Sequence, residues 1–230
     1  MNGSTGEMFS RIAERYDFMN HMMSFGLDMV WRNKLVSVAK PREEDFIADI
    51  ATGTGGVAFE FAKKGGSKVV GVDVSEAMLE LAREKAKRKK LEHLVEFRRV
   101  DALSLSFPSE TFDIVTMAFG IRNLPDYEKG LREMIRVAKR GGKILILEFS
   151  LPTNFFVRFV YKLYLKVVIP FLGALFSERN AYEYLWRSVE EFTRDIDITE
   201  LMRSAGLREV THVPLTFGIT CLYIGQKSMS

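Results

Sequence analysis

The sequence predicts a doubly wound α/β fold, a mostly parallel sheet covered by helices on both faces and ending in an antiparallel hairpin. From Asp45 onward, short runs rich in β-branched and aromatic residues alternate with amphipathic helical runs. Strands separated by helices of this length are joined by right-handed crossovers and so lie parallel. The last two apolar runs, Leu207 to Val213 and Gly218 to Gln226, are separated only by Pro214 to Phe217. That gap is too short for a crossover, so the two runs pair as a hairpin at the sheet edge.

The elements follow in order. Phe9 to Val38 mixes apolar and polar residues at helical spacing, with Asp17, Asn20 and Ser24 as caps or breaks, and reads as a helical N-terminal cover over 7–40. Strands are expected at Phe46 to Ala51, Lys68 to Val72, Val95 to Val100, Phe112 to Phe119 and Lys143 to Phe149. The helix Ser75 to Lys90 opens on Ser75 as N-cap, and its basic run Lys85 to Lys90 reads as a solvated helix end. A second helix, Asp126 to Ala138, stops before Gly141 and Gly142. After Glu148 the alternation ceases, and 151–192 reads as an aromatic-rich helical insertion on the substrate side, before a last helix near Ile198 to Ala205. The whole chain, 1–230, is expected to form one domain.

Composition narrows the function. Hydrophobic residues make up 47% and charged residues 27% of the chain, an ordinary globular balance with enough apolar material for a core. Lys+Arg 33 against Asp+Glu 30 leaves +3, too small an excess for a phosphate-neutralising surface, so no nucleic-acid partner is expected. A lone Cys221 and the scattered His21, His93 and His212 offer neither a disulfide framework nor paired metal-ligand spacing, and no metal site is expected. Met1 to Gly6 lacks the basic start and apolar run of a secretory signal, which points to the cytoplasm. Phe155 to Phe176 carries Arg158, Lys162 and Lys166, and Pro170 interrupts it, so it does not read as a membrane span.

A ligand site is expected where Asp49-Ile-Ala51-Thr-Gly53-Thr54-Gly55-Gly56 leaves the first strand and opens a helix. Gly53-Thr-Gly55-Gly56-Val-Ala58 by itself satisfies the dinucleotide fingerprint, and Asp73, ending the second strand, suits a ribose under either NAD or S-adenosylmethionine. A dinucleotide-dependent oxidoreductase therefore stays open on the loop alone. Asp49 at the foot of the loop, Asp101-Ala102 after the third strand and the terminal hairpin together resemble the class I S-adenosylmethionine-dependent methyltransferases and their Rossmann-like sheet. That resemblance implies S-adenosylmethionine as cofactor and S-adenosylhomocysteine as its product. It sets Ala51, Gly53, Thr54 and Gly55 at the aminocarboxypropyl end, Asp73 on the ribose, Met78 near adenine, and Asp101 and Ala102 at the adenine border. For Met78, core packing is the competing reading.

Four further stretches narrow the resemblance: Arg11 to Asn20 with Ser24-Phe-Gly26, Trp31-Arg32, Phe119-Gly120-Ile121-Arg122-Asn123, and Tyr182-Glu-Tyr184-Leu-Trp186. The chain resembles the ubiquinone/menaquinone biosynthesis C-methyltransferases over nearly its whole length, with the Phe-Gly-Ile-Arg-Asn block the most specific element. The resemblance implies methylation of a ring carbon of a polyprenylated quinol such as demethylmenaquinol, with another small or lipid-like acceptor as the alternative. Two positions depart from the family pattern: Gly56 stands where an aspartate commonly follows the loop, and Ala118 where a serine can occur beside the cofactor.

Methylating a quinol carbon requires a phenolate whose charge reaches that carbon, and a nearby cation or donor stabilises it. Arg122 and Asn123 follow the fourth strand at the carboxyl edge, where such sheets bind ligands. Arg122 is assigned to charge stabilisation, with Tyr16 or a water relaying the proton. Their bland alternatives are a surface carboxylate partner for Arg122, a helix cap for Asn123 and packing for Tyr16. His21 reads as a surface or packing residue, and Trp31 with Arg32 as a stacked pair tying the cover to the site. Arg158, Lys162 and Lys166 form a basic stripe on the apolar segment 155–176, suited to peripheral contact with an anionic membrane at its inner face. Packing at a homodimer interface or over the core is the competing use of that segment.

Overall fold

A computed structural model describes residues 17–65, 68–168 and 179–229, with the backbone alone over 179–186. The described residues form a seven-stranded sheet of order β3-β2-β1-β4-β5-β7-β6. Its strands are β1 Phe46–Ile50, β2 Lys68–Asp73, β3 Val95–Arg99, β4 Phe112–Ala118, β5 Ala138–Phe149, β6 Arg208–Leu215 and β7 Thr220–Gln226. The first five pair in parallel, and β7 pairs antiparallel with both β5 and β6, as the hairpin spacing predicts. The order reverses at β1, between β2 and β4, which opens the crevice where doubly wound sheets bind ligands.

The helices are α1 (17–23), α2 Leu27–Ala39, α3 Gly56–Gly65, α4 Glu76–Lys89, α5 Tyr127–Val137, α6 Phe155–Leu163, α7 Arg179–Asp195 and α8 Ile198–Ser204. One face of the sheet buries Leu35 and Val36 of α2, Phe59 and Phe61 of α3, and Leu79 and Ala82 of α4 against Ile47, Val69 and Ile114. The other buries Leu131 and Met134 of α5, Phe192 of α7, and Ile198 and Met202 of α8 against Ile50, Val115 and Ile146. Side chains alternate across each strand, so a nearly continuous apolar run supplies both cores.

Local signals set the helix ends. Ser75 caps α4 by accepting from the Met78 amide, and Asp126 caps α5 by accepting from Lys129. β5 departs from expectation by beginning at Ala138, directly after α5, instead of at Lys143. Phe112 pairs with Ala138 and Ile114 with Lys143, so residues 139–142 bulge out of the ladder. Gly141 turns there at φ 70°. The insertion also departs: α6 ends at Leu163 and continues as a π-helical turn, Tyr164–Val168. Tyr16 and the 169–176 part of the basic, apolar segment lie outside the described residues.

Candidate active site

The loop after β1 is shaped by backbone conformation. Ala51, Gly53 and Gly55 all have positive φ, at 54°, 55° and 85°. At Gly55 a Cβ would also meet the rings of Phe97 and Phe59 at 2.8 and 2.9 Å, so glycine is required twice over. A Cβ at Gly53 would meet nothing within 4 Å, which leaves open space above the loop.

Asp73 fixes this loop from the neighbouring strand. Its carboxylate accepts from the amides of Gly53 at 2.9 Å and Ser75 at 3.0 Å, one on each oxygen. Remaining lone pairs at the carboxyl edge suit two vicinal hydroxyls, and the open face of Gly53 leaves room beside them. The donor set therefore fits the ribose of S-adenosylmethionine. Burial raises the pKa of Asp73, while the Ser75, Gly53 and Val74 amides lower it. Asp49, beneath the loop, accepts from Thr52 Oγ1 at 2.6 Å. Burial pushes its carboxyl up to about 7 against the opposing Thr52, Ala58 and Arg32 interactions.

The other assigned cofactor positions are gathered on the same edge. Asp101 is exposed and holds a turn by accepting from Leu103 N at 3.0 Å, and Ala102 is buried beside it. Met78 is 2% exposed, in the first turn of α4. Ala118 closes β4 and packs on the core. Thr54 Oγ1 donates to Asp17 of α1 at 2.5 Å, and the same carboxylate pairs with Lys85. Lys85 is thus a bridge between α1 and α4, which corrects its reading as part of a solvated run. Gly120 brings the loops after β1 and β4 together: a Cβ there would stand 2.8 Å from Ala51 Cβ.

Arg122 and Asn123 lie on a short 3-10 turn after β4. Arg122 Nη1 donates to Glu148 at 2.6 Å and to the Phe119 carbonyl at 2.9 Å. The Glu148 side chain is fully buried and that of Arg122 nearly so, at 7% exposure. Arg122 therefore has a carboxylate partner, as its alternative reading had it, but in the interior instead of on the surface. Arg122 also lies over the Phe149 ring, 5.1 Å from its centroid. Asn123 Nδ2 donates to Phe119 O at 3.3 Å; Asp126, not Asn123, caps the following helix.

Aromatic rings wall this end of the sheet. Trp31 lies 6.0 Å from Phe119 and 6.2 Å from Phe149, and those two rings are 4.7 Å apart. Trp31 Nε1 donates to Thr216 at 2.8 Å, whereas Arg32 pairs with Asp28 at 3.0 Å. The expected stacked pair is absent because successive helical residues face different directions. Arg32 also fills the space over Gly56, where a Cβ would stand 2.9 Å from Nη1. His21 pairs with Asp28 at 3.2 Å and is more than half exposed, in keeping with its surface reading.

Glu148 and Tyr161 are absent from the assignments made on sequence. A glutamate ending the buried apolar run Ile144 to Leu147 was a readable signal for a cationic partner. Tyr161, one aromatic among many on α6, carried none.

The ubiE/COQ5 methyltransferase family matches residues 2–227. A ubiquinone/menaquinone biosynthesis C-methyltransferase UbiE of Geobacter sulfurreducens is 43% identical over 97% of this chain and 88% of its own. A demethylmenaquinone methyltransferase of Thermus thermophilus is 43% identical over 96% of this chain and 100% of its own. Among solved structures, a SAM-dependent methyltransferase of Thermotoga maritima superposes with TM-score 0.64 at 22% identity, covering 96% of this chain and 99% of its own. A putative methyltransferase solved with the Haloferax volcanii Trm112 activator gives TM-score 0.66 at 18% identity, covering 96% and 97%. The solved structures agree on the fold, and the relatives share the sequence from end to end: this chain belongs to the ubiE/COQ5 methyltransferase family.

Proposed function

We propose that this S-adenosylmethionine-dependent methyltransferase acts on a ring carbon of a polyprenylated quinol such as demethylmenaquinol. The observation that carries the reading is the buried Arg122, braced by Glu148 and lying over Phe149, on the same sheet edge as the Asp73 loop. Bound S-adenosylmethionine supplies an electrophilic methyl group. Asp73 and the Ala51 to Gly55 backbone hold the cofactor, with Met78, Asp101, Ala102 and Ala118 along its adenine side. Arg122 stabilises the phenolate form of the acceptor, whose charge is shared with the carbon to be methylated. Asn123 orients the acceptor, and a water or Tyr16 takes or relays the proton. The aromatic wall of Trp31, Phe119 and Phe149 excludes water from the reacting groups.

The whole chain serves this reaction as one domain, with the N-terminal cover 7–40 and the substrate-side insertion 151–192 as its two additions to the sheet. The outer face of α6 and its π-turn exposes Phe155, Phe156, Phe159, Leu163 and Val167, with Phe25 of the cover beside Tyr164. No helix among the described residues is long and apolar enough to cross a membrane. We read the face as a peripheral docking surface at the inner side of the membrane, where a polyprenyl tail resides. The basic stripe contributes less than expected, because Arg158 folds back onto Pro152 O and Lys162 pairs with Glu190. Apolar insertion therefore supplies most of the attraction.

Product analysis over a panel of quinols and other lipid-like acceptors tests the substrate. Transfer of a labelled methyl to a quinol ring carbon is the expected result. Labelling of oxygen or nitrogen, or of non-quinol acceptors alone, would overturn it.

A further inference from the structure

Among the described residues, four buried side-chain atoms have no hydrogen-bond partner: Thr116 Oγ1, Arg122 Nε, Tyr161 Oη and Thr220 Oγ1. Leaving a buried polar group unpaired is costly, and such atoms are rare enough to require a reason. Thr116 and Thr220 lie within strands. Arg122 Nε and Tyr161 Oη belong to two different elements, and Phe149 packs against both the Arg122 guanidinium and the cluster that holds Tyr161. Arg122 lies over Phe149 at 5.1 Å. Tyr161 belongs to a small buried cluster with Met19, Leu165 and Val189, against which Phe149 also packs.

The surroundings hold both groups in donating form. Nη1 of Arg122 is committed to Glu148 and the Phe119 carbonyl, which fixes the guanidinium plane and leaves Nε over. Burial raises the pKa of the Tyr161 phenol well above the ordinary range; the Arg122 charge opposes this and the Glu148 charge adds to it. A tyrosine kept only for packing would be better served by phenylalanine, which fills the same slot without an unpaired hydroxyl.

We propose that Tyr161 donates its hydroxyl hydrogen bond directly to a ring oxygen of the acceptor, sharing that oxygen with Arg122 and so stabilising the phenolate. The inference rests on the quinol reading above. It places a second donor opposite the developing charge, supplied by the insertion rather than by the sheet edge.

The test is the Tyr161→Phe variant of the full chain, assayed with a short-tailed demethylmenaquinol. We expect kcat to fall about 100-fold, the scale for losing one donor to an oxyanion. S-adenosylhomocysteine affinity stays within about twofold, and Tm is unchanged or higher because an unpaired group has been removed. A ring-halogenated quinol, whose phenol ionises more readily, narrows the gap between variant and wild type. A variant kcat within about threefold of wild type would overturn the inference alone. So would a fall in Tm accompanying the loss, or a gap indifferent to acceptor acidity. Failure of the wild type to methylate any quinol would overturn the quinol reading and the inference together.

Discussion

At the scale of single residues, two buried charges determine most of what can be tested. Glu148 is 0% exposed and its charge is balanced by Arg122 at 2.6 Å. Removing one member of a buried pair typically costs about 3–5 kcal/mol because the other is left uncompensated. Glu148→Gln should therefore lower Tm by roughly 6–20 °C in a chain of this size. Replacing the pair together, by Arg122→Met with Glu148→Leu, should cost less stability than Glu148→Gln alone, as read by denaturant unfolding. Additive losses would show that the two side chains do not act as a pair. Asp49 supplies the second test. Its ordinary value of 3.8 is raised to about 7 on folding, so the native state binds the proton more tightly. Its stabilising contribution is complete below pH 3.8 and is lost as pH rises through about 7. Wild-type stability relative to Asp49→Asn should thus be greater at low than at neutral pH, and a difference independent of pH would contradict the assignment.

At the scale of elements, α1 is clasped to the cofactor loop through Asp17, which joins Thr54 and Lys85. Asp17→Asn should accelerate amide exchange over 17–25 and weaken S-adenosylhomocysteine binding by about threefold to tenfold, through the loss of one charge-assisted contact. Unchanged exchange would remove the clasp from the cofactor site. Much of this scale was legible in the sequence, because caps and periodicity act over a few residues. Ser75 and Asp126 predicted the helix starts that the structure shows, and the short Pro214 to Phe217 link predicted the hairpin, although β6 runs on through Pro214 to Leu215 and β7 begins at Thr220. The early start of β5 was hidden, because its bulge depends on pairing with Phe112 on another strand. The same limit applied within the site. Asp73 could be placed from its strand end, whereas Arg122 with Glu148, Thr54 with Asp17 and Lys85 with Asp17 join positions 26, 37 and 68 residues apart. No local pattern encodes such partners; only the closed sheet brings them together.

At the scale of the whole molecule, the carboxyl edge divides into two halves. The ends of β1, β2 and β3 carry most of the residues proposed to hold the cofactor, Ala118 at the end of β4 being the exception, and the ends of β4 and β5 carry Arg122 and Glu148. The exposed face of α6, the element that follows β5, is the surface proposed to meet the membrane. Co-sedimentation with anionic vesicles should retain the wild type and lose a Phe155→Ser, Phe159→Ser variant, with only modest sensitivity to salt since apolar contact dominates. A wild type that stays in the supernatant but elutes as a dimer would assign the face to a second copy instead. The division of the edge is tested most directly by calorimetric titration of S-adenosylhomocysteine into wild type, Asp73→Ala and Arg122→Ala. Asp73→Ala should weaken binding by roughly 10- to 100-fold, the scale of one or two hydrogen bonds to a charged group, while folded Arg122→Ala binds within about twofold of wild type. Equal loss in both variants, or none in Asp73→Ala, would contradict it.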